Sequence, residues 1–307
     1  MIKIIDINFL NKKCAVGCFL VRDKNKYVLI ETGPSIYYEN IRLKDVSFGY
    51  DENSLPTLNK INIDIKKVEN ILVTHIHLDH SGGAWKFAQN GSKIYVHPKG
   101  SKHLISPEKL MLSASRIYGN DMERLWGKVD KINSDQVISV EDNEIIKVGS
   151  LEFKALHTPG HASHHISWQF DETIFTGDVA GAKIHNGPVL PACPPPDIDL
   201  EKWEDSLKIL EKENPKKIYL THFGEHKNVK NHIDELRLSL SDWSLWIKEN
   251  RTIFFDNEIL TKKFNEYVYK KMRAANISDE LINQYYAANP PYMSVAGLKR
   301  YWEKNDK

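Results

Sequence analysis

The amino-acid sequence predicts an α+β protein with a helical C-terminal region. Three observations lead to this fold class. Short apolar runs alternate with helical segments as far as residue 226, residues 227–307 show only helical periodicity, and 41% of the 307 residues are hydrophobic. A chain of this length can bury a sizeable core. We therefore predict one domain over residues 1–226 and a helical extension over residues 227–307.

The predicted strands are short apolar runs bounded by turn residues. Residues 14–21 and 26–30 form a hairpin, which is followed by a Glu-Thr-Gly-Pro turn. Further strands are predicted at residues 71–74, 93–96, 145–148, 151–156, 166–170, 173–175 and 217–220.

Helices are predicted between and after these strands. Those of the first region cover residues 83–89, 108–126 and 200–213, and residues 189–196 are too rich in proline for regular structure. In the C-terminal region, apolar residues at helical spacing predict helices over residues 230–250 and 257–275. Ser278 and Ser294 are the predicted N-caps of two further helices.

Composition excludes several function classes. The 42 basic and 41 acidic residues nearly cancel, which gives no electrostatic reason to expect nucleic acid or an acidic membrane surface as a partner. No apolar run approaches the roughly 20 residues that cross a bilayer, and the N-terminal segment does not resemble a secretion signal. The three cysteines, Cys14, Cys18 and Cys193, form no even disulfide framework. We expect a cytoplasmic protein that acts on a small molecule.

Histidine and aspartate cluster after an apolar run. Residues 74–80 read Thr-His-Ile-His-Leu-Asp-His. Imidazole and carboxylate groups are the ligands that divalent transition metals bind when no thiolate is offered. Residues two apart share a face of an extended chain, so His75 and His77 can bind the same ion. The four potential ligands of this motif are His75, His77, Asp79 and His80.

Three further motifs occur in the same context, where a predicted strand ends. Residues 157–165 read His-Thr-Pro-Gly-His-Ala-Ser-His-His, residues 175–178 read Phe-Thr-Gly-Asp, and residues 219–224 read Tyr-Leu-Thr-His-Phe-Gly. Each motif alone is weak evidence. Four of them in this order indicate a metal centre.

With these motifs, the chain resembles the metallo-β-lactamase fold superfamily over residues 74–224. The resemblance implies a four-layer αββα sandwich of two similar halves, with a dinuclear metal site at one edge, and makes residues 1–226 the catalytic domain. The seven ligand positions that it implies are His75, His77 and His161 for a first ion, Asp79, His80 and His222 for a second, and Asp178 as a bridge between the two ions.

The same resemblance implies the cofactors and the catalytic residues. Two divalent metal ions are expected, zinc first, with iron or manganese as alternatives. A hydroxide between the ions would be the nucleophile, with Asp79 and Asp178 as catalytic residues. Glu31 stands where the family usually has an aspartate before Thr-Gly. It is expected, together with His157 and His165, to support the ligands through hydrogen bonds.

The expected reaction is hydrolysis of an ester-like bond, either a thioester or a lactone. A β-lactam substrate is disfavoured, because true β-lactamases replace the bridging aspartate with cysteine or serine, whereas Asp178 is present. Three alternatives stay open. They are an iron-dependent persulfide dioxygenase with one metal, a phosphodiesterase, and a non-catalytic binding protein on the same fold.

Substrate contacts and self-association are less defined by the sequence. Tyr118, Lys183 and His185 are candidates for an oxyanion donor or a general acid. The helical extension either covers the site or forms a homodimer interface, and the residues expected to do so are Trp243, Trp246 and Tyr267.

Overall fold

A computed structural model describes residues 1–24, 26–38, 45–46, 61–62, 68–254 and 256–305. The strands in these residues are β1 (Ile2–Asp6), β2 (Gly17–Asp23), β3 (Lys26–Ile30), β4 (Asp45–Val46), β5 (Ile61–Asn62), β6 (Asn70–Leu72), β7 (Lys93–Val96), β8 (Val137–Ser139), β9 (Ile145–Val148), β10 (Leu151–His157), β11 (Ile166–Phe170), β12 (Thr173–Gly177), β13 (Lys217–Leu220) and β14 (Gly224–His226).

The first sheet has the strand order β1-β2-β3-β6-β7-β8. β1, β2 and β3 pair antiparallel, and β3, β6, β7 and β8 pair parallel. Buried parallel strands are nearly continuous apolar runs, and Leu29, Ile71 and Ile94 in its centre are almost fully buried. Because β3 and β6 are parallel neighbours, the residues that follow them meet at one sheet edge.

The second sheet has the order β14-β13-β12-β11-β10-β9 and is also mixed. β12 and β13 pair parallel, with Phe175 opposite Tyr219, and the two rings stack with centroids 5.2 Å apart. The segments that follow β12 and β13 therefore begin at the same edge of this sheet. These segments contain Asp178 and His222. β4 and β5 form a separate two-stranded sheet.

Four of the longer helices in the described residues begin at good capping residues. The side chains of Asp199, Asn228, Asp256 and Ser278 each accept a hydrogen bond from a backbone N–H in the first turn. The helices are α1 (Leu78–Ser81), α2 (Ala84–Ala88), α3 (Pro98–Ile105), α4 (Glu108–Tyr118), α5 (Met122–Trp126), α6 (Leu200–Glu213), α7 (Val229–Asn250), α8 (Asn257–Ala274), α9 (Asp279–Ala288) and α10 (Pro291–Asn305).

The chain forms two compact units. One comprises Met1–Ile7 and Gly17–Ala155, and the other comprises Asn8–Val16 and Leu156–Lys307. Large buried side chains form a core in each, for example Phe19 and Phe87 in the first and Trp168, Trp203 and Phe264 in the second. The predicted domain boundary at residue 226 falls inside the second unit and stays a prediction.

Most predicted elements are present, and two helix predictions are wrong in detail. The helix predicted over residues 108–126 is divided into α4 and α5, because Gly119 has a φ of 52° and ends α4. The last helix begins at Pro291 rather than after Ser294. Proline is favoured in a first helical turn, where its missing N–H costs no hydrogen bond. Ser294 is consequently a buried residue inside α10.

The aromatic residues of the C-terminal helices pack on one another. The ring of Trp243 lies edge-on to Phe264 at 5.1 Å, and Trp246 stacks on Tyr267 at 5.4 Å. The Tyr267 hydroxyl donates to Asp242 at 2.6 Å. These side chains thus join α7 to α8. In the described part of the chain, no helix combines the length and apolarity that a membrane span requires.

Candidate metal-binding clusters

The first cluster lies directly after β6, in the first unit. His75 is fully buried and His77 partly so. The Nε2 atom of His75 lies 2.8 Å from Nδ1 of His77, which confirms that the two imidazoles share a face. His77 is the N-cap residue of α1, so Asp79 and His80 lie in the short helix that follows. Nε2 of His80 is 3.6 Å from Oδ2 of Asp79.

A buried glutamate supports this cluster from the end of β3. Glu31 is fully buried and has a φ of 65°, a left-handed conformation that costs a non-glycine residue free energy. Its Oε1 atom accepts hydrogen bonds from the Thr74 hydroxyl at 2.5 Å and from Nδ1 of His80 at 2.9 Å. The next residue, Thr32, donates its backbone N–H to the His80 carbonyl at 2.7 Å. The turn after β3 is thus fastened to the turn after β6.

These contacts fix which nitrogen of each imidazole carries the proton. The Thr74 hydroxyl has one hydrogen and donates it to Glu31, so its oxygen accepts the Nδ1–H of His75 at 2.9 Å. Nδ1 of His80 likewise donates to the Glu31 carboxylate. In the neutral imidazoles of His75 and His80, Nε2 therefore retains a lone pair that can bind a metal ion.

The second cluster consists of His161, Asp178 and His222, in the second unit. All three side chains are buried. Nε2 of His161 lies 3.4 Å from Oδ2 of Asp178, and Nε2 of His222 lies 3.4 Å from its Oδ1. The carboxylate thus faces one imidazole with each oxygen.

Backbone carbonyls orient both imidazoles of this cluster. Nδ1 of His161 donates to the Ala192 carbonyl at 2.7 Å, and Nδ1 of His222 donates to the Ala15 carbonyl at 2.6 Å. A carbonyl only accepts, so Nδ1 carries the proton in each ring and Nε2 carries the lone pair. Both lone pairs are on the atoms closest to Asp178.

Two further residues of the motif at residues 157–165, His165 and Gly160, shape the second cluster. The backbone N–H of Asp178 donates to Nε2 of His165 at 3.2 Å, and Nδ1 of His165 lies 2.9 Å from the Thr158 hydroxyl. Gly160 has a φ of 133°, and a Cβ there would lie 2.3 Å from Cα of Trp203. The glycine therefore permits α6 to pack directly against the turn that carries His161.

The donor sets of both clusters fit divalent metal ions. They offer imidazole nitrogens and carboxylate oxygens, the ligands typical of zinc and neighbouring transition metals in proteins. Among the described residues, His and Asp groups suited to hold a metal ion include all seven predicted ligands. Four of the five histidines also have the second ring nitrogen held by an acceptor, as in established metal sites.

Comparison of the sequence with protein-family models identifies the superfamily. The model of the metallo-beta-lactamase superfamily matches residues 12–222. The chain belongs to this superfamily. The predicted fold class, α+β with the metallo-β-lactamase fold and a helical C-terminal region, is therefore confirmed.

Individual superfamily members show moderate similarity. The metallo-beta-lactamase fold-containing protein ST1585 of Sulfurisphaera tokodaii is 37% identical over 165 residues, which are 52% of this chain and 62% of ST1585. Its crystal structure gives a TM-score of 0.60 at 29% identity and covers 78% of this chain and 86% of that one. The two proteins therefore share most of the fold.

Two further relatives have named activities. A hydroxyacylglutathione hydrolase of Dictyostelium discoideum is 30% identical over 40% of this chain and 38% of its own. The human acyl-coenzyme A thioesterase MBLAC2 is 24% identical over 52% of this chain and 57% of its own. In both sequence alignments, as in the one with ST1585, the chain spans less than two thirds of the relative's length.

The remaining predicted residues of this superfamily member have less distinctive surroundings. Nζ of Lys183 forms a salt bridge of 2.8 Å with Glu235. His185 is exposed and has a φ of 51°. Tyr118 packs edge-on against Trp126, with the ring centroids 5.0 Å apart, and His157 is half-buried at the end of β10. Their roles as substrate contacts or supports stay predictions.

Several residues of the clusters could not be recognised from the sequence. Thr74 was visible only as part of a motif, although its hydroxyl connects Glu31 to His75. Ala15 and Ala192 contribute backbone carbonyls, which leave no side-chain signal. Only the folded chain shows these contacts.

Proposed function

We propose that this protein is a metal-dependent hydrolase of thioesters. The observation that carries the proposal is the arrangement of the buried imidazoles, in which His75, His80, His161 and His222 are each anchored through Nδ1, leaving Nε2 to bind a metal ion. We further propose that the seven predicted ligands hold two divalent ions, with zinc as the first candidate. Divalent ions at such a centre polarise a carbonyl group and lower the pKa of water.

The protein's own residues would orient the reactants and move a proton. Asp178 is buried, and its two oxygens lie beside Nε2 of His161 and of His222, so its carboxylate would bind metal together with these imidazoles. The Asp79 side chain is 20% exposed, and its carboxylate can accept a proton from an attacking water and release it to solvent. Both aspartates therefore contribute to hydrolysis, by different means.

As a substrate, a thioester fits the residues of this site better than an oxygen ester or a lactone does. A thiol leaves as a thiolate with an ordinary pKa of about 8.5, so its departure needs no strong general acid. The candidate acid Lys183 is engaged by Glu235. Two superfamily relatives have names that denote thioester hydrolysis, one acting on hydroxyacylglutathione and one on acyl-coenzyme A.

The test is release of thiol from acyl-glutathione and acyl-coenzyme A, followed with a thiol-reactive dye. A lactone is offered in parallel and followed by proton release in a pH-stat. We expect thiol release that stops when a chelator removes the metal and returns when zinc is restored. Faster lactone opening would instead identify a lactonase. Oxygen uptake with a persulfide and no thiol release would identify the dioxygenase alternative.

A further inference from the structure

The loop that follows Asp178 determines how His161 is held. Residues 178–199 connect β12 to α6, and a bridge between Ala182 and Leu190 is the main regular pairing in this loop. The Ala192 carbonyl in its second half accepts the Nδ1–H of His161. The Nδ1 hydrogen bond of this imidazole therefore depends on the position of a carbonyl in an irregular segment.

Side chains from the end of the chain hold the two residues that flank Ala192. Asn289, directly after α9, donates from Nδ2 to the Pro191 carbonyl at 2.8 Å. The hydroxyl of Ser294, in α10, accepts the backbone N–H of Cys193 at 3.3 Å. Asn289 and Ser294 are both buried, so solvent does not replace these bonds.

Residues 297–301 of α10, which read Gly-Leu-Lys-Arg-Tyr, pack closely on the same part of the loop. A Cβ on Gly297 would lie 2.0 Å from the Cys193 carbonyl oxygen, far inside any permitted contact. The absence of a side chain at Gly297 therefore lets α10 lie directly on the Cys193 peptide.

A third side chain fastens the first half of the loop. The Tyr285 hydroxyl accepts the Ile184 N–H at 2.9 Å and donates to the Pro188 carbonyl at 2.6 Å. Burial raises the pKa of Tyr285, so the phenol keeps the proton that it donates. The C-terminal helices thus hold the loop at several separate points.

We propose that Asn289 and Ser294 are positioning residues for His161. By fixing the peptides on both sides of Ala192, they keep its carbonyl aligned with Nδ1 of His161 and keep Nε2 as the nitrogen with the lone pair. The inference deepens the proposed function and rests on it, because it takes from that proposal that His161 binds a metal ion. It assigns to the C-terminal helices a direct part in forming the second cluster.

The test uses two truncations and a matched control. Asn289→Ala and Ser294→Ala only remove atoms, so neither introduces a clash. Ser244→Ala is the control, because Ser244 is also a buried serine of the C-terminal helices and its hydroxyl accepts from Trp302 rather than from the loop. All three variants remove a buried polar group, so a general loss of packing affects each of them.

Two measurements report on His161 without requiring turnover. The first is the affinity for Co²⁺, determined by competition with a coloured chelator. The second is the ¹⁵N NMR spectrum of histidine-labelled protein in the absence of metal, in which His161 is assigned with His161→Gln. The nitrogen shifts distinguish an imidazole with Nδ1–H from one with Nε2–H.

We expect Asn289→Ala and Ser294→Ala to weaken Co²⁺ binding roughly tenfold, at the lower end of the effect of outer hydrogen-bond partners, and to reduce the Nδ1–H form of His161. Ser244→Ala should change neither. Co²⁺ affinity and His161 shifts equal to those of Ser244→Ala in both variants would overturn the inference. Neither readout measures thioester turnover, so both are independent of the substrate, and the His161 shifts, recorded without metal, test the inference even if the proposed function fails.

Discussion

At the scale of single residues, Glu31 is the most consequential support of the first cluster. One carboxylate accepts from the Thr74 hydroxyl, the Thr74 N–H and Nδ1 of His80. It therefore orients His80 directly and His75 through Thr74. The family usually has an aspartate here, and the longer glutamate side chain still reaches both partners.

Replacing Glu31 by glutamine should weaken metal binding. The amide places a donor where the carboxylate only accepted, and it removes the negative charge that increases the basicity of His80. We expect the affinity for Zn²⁺ to fall about tenfold, measured by competition with a fluorescent chelator. Glu69→Gln makes the same change at an exposed ion pair with Lys26 and should leave the affinity unchanged. Equal affinities in the two variants would contradict this role of Glu31.

Loss of Asp178 should abolish activity and leave the fold intact. Its carboxylate is a proposed ligand of both ions, so Asp178→Ala should reduce thioester turnover by more than the roughly 100-fold typical of an outer-shell partner. Ligand loss at a catalytic site need not unfold a large core, and the circular dichroism spectrum should match that of the wild type. Asp205→Ala, at an exposed aspartate, is the control. Full activity of Asp178→Ala would show the dinuclear proposal to be wrong.

At this scale, the sequence predicted which side chains form the clusters but not which backbone groups contact them. His75 and His77 were expected to share a face, and their nitrogens lie 2.8 Å apart. The Ala15 carbonyl, 207 residues from His222 in sequence, could not be foreseen, because any residue offers the same carbonyl. The choice of Ala15 arises only from the folded backbone.

At the scale of elements, parallel pairing explains where the polar residues gather. Glu31 and Thr74 follow the parallel strands β3 and β6, and Asp178 and His222 follow the parallel strands β12 and β13. The sequence predicted most of the longer apolar strands but not β1, which has five residues. β8 and β14, of three residues each, are too short to show a period. Ser294 was misassigned as an N-cap because its hydroxyl serves a distant peptide, not its own helix.

One ion-pair network joins two helices of the second unit. Arg237 in α7 makes paired hydrogen bonds with Glu204 and with Glu211, both in α6, at 2.7–3.1 Å. The Arg237 side chain is 27% exposed, and the hydrogen bond from Arg237 contributes to a lowered pKa of Glu211. Planar, bidentate pairs of this kind are stronger than single surface contacts.

Arg237→Met should lower the free energy of unfolding by about 1 kcal/mol, near the upper end for partly exposed pairs. The loss should shrink at high salt, because screening weakens the network in the wild type. Urea unfolding at low and high salt measures both effects. Lys263→Met is the control, since Lys263 pairs with Glu266 on an exposed helical surface and its removal should cost only a few tenths of a kcal/mol. Equal losses of unfolding free energy in the two variants would show that the network stabilises the fold no more than a single surface ion pair.

At the scale of the whole molecule, the order of four motifs was sufficient to predict the superfamily, since the family model covers residues 12–222. The compact units were not predictable in the same way. The segment Asn8–Val16 belongs with residues far along the chain, and such membership depends on tertiary contacts. The local periodicity of the sequence does not indicate these contacts.

Buried histidines away from the clusters also affect the stability of the whole fold. His232 in α7 is buried and donates from Nε2 to the Ala180 carbonyl at 2.8 Å. Burial, as the main cause, lowers the pKa of His232 to about 4, and the neighbouring Lys183 and His226 act in the same direction. The folded protein therefore keeps this ring neutral at pH values where the unfolded chain has protonated it.

The direction of the resulting pH dependence follows from proton binding. Between the ordinary pKa of about 6.5 and the folded value of about 4, the unfolded chain binds more protons, so stability falls as the pH falls through this window. The difference corresponds to about 3 kcal/mol of unfolding free energy, and it is lost in full only below the folded pKa of about 4. Well above the ordinary pKa of about 6.5, where the ring is neutral in both states, this group contributes no slope.

His232→Gln should therefore flatten the acid limb of the stability curve. The glutamine amide can still donate to the Ala180 carbonyl, but it does not titrate. Urea unfolding of metal-free protein at several pH values from 7 to 4.5 should show a smaller loss of stability in the variant than in the wild type. His185→Gln replaces an exposed histidine and should follow the wild-type curve. Parallel curves for wild type and His232→Gln would mean that the buried ring is not the group whose protonation opposes folding.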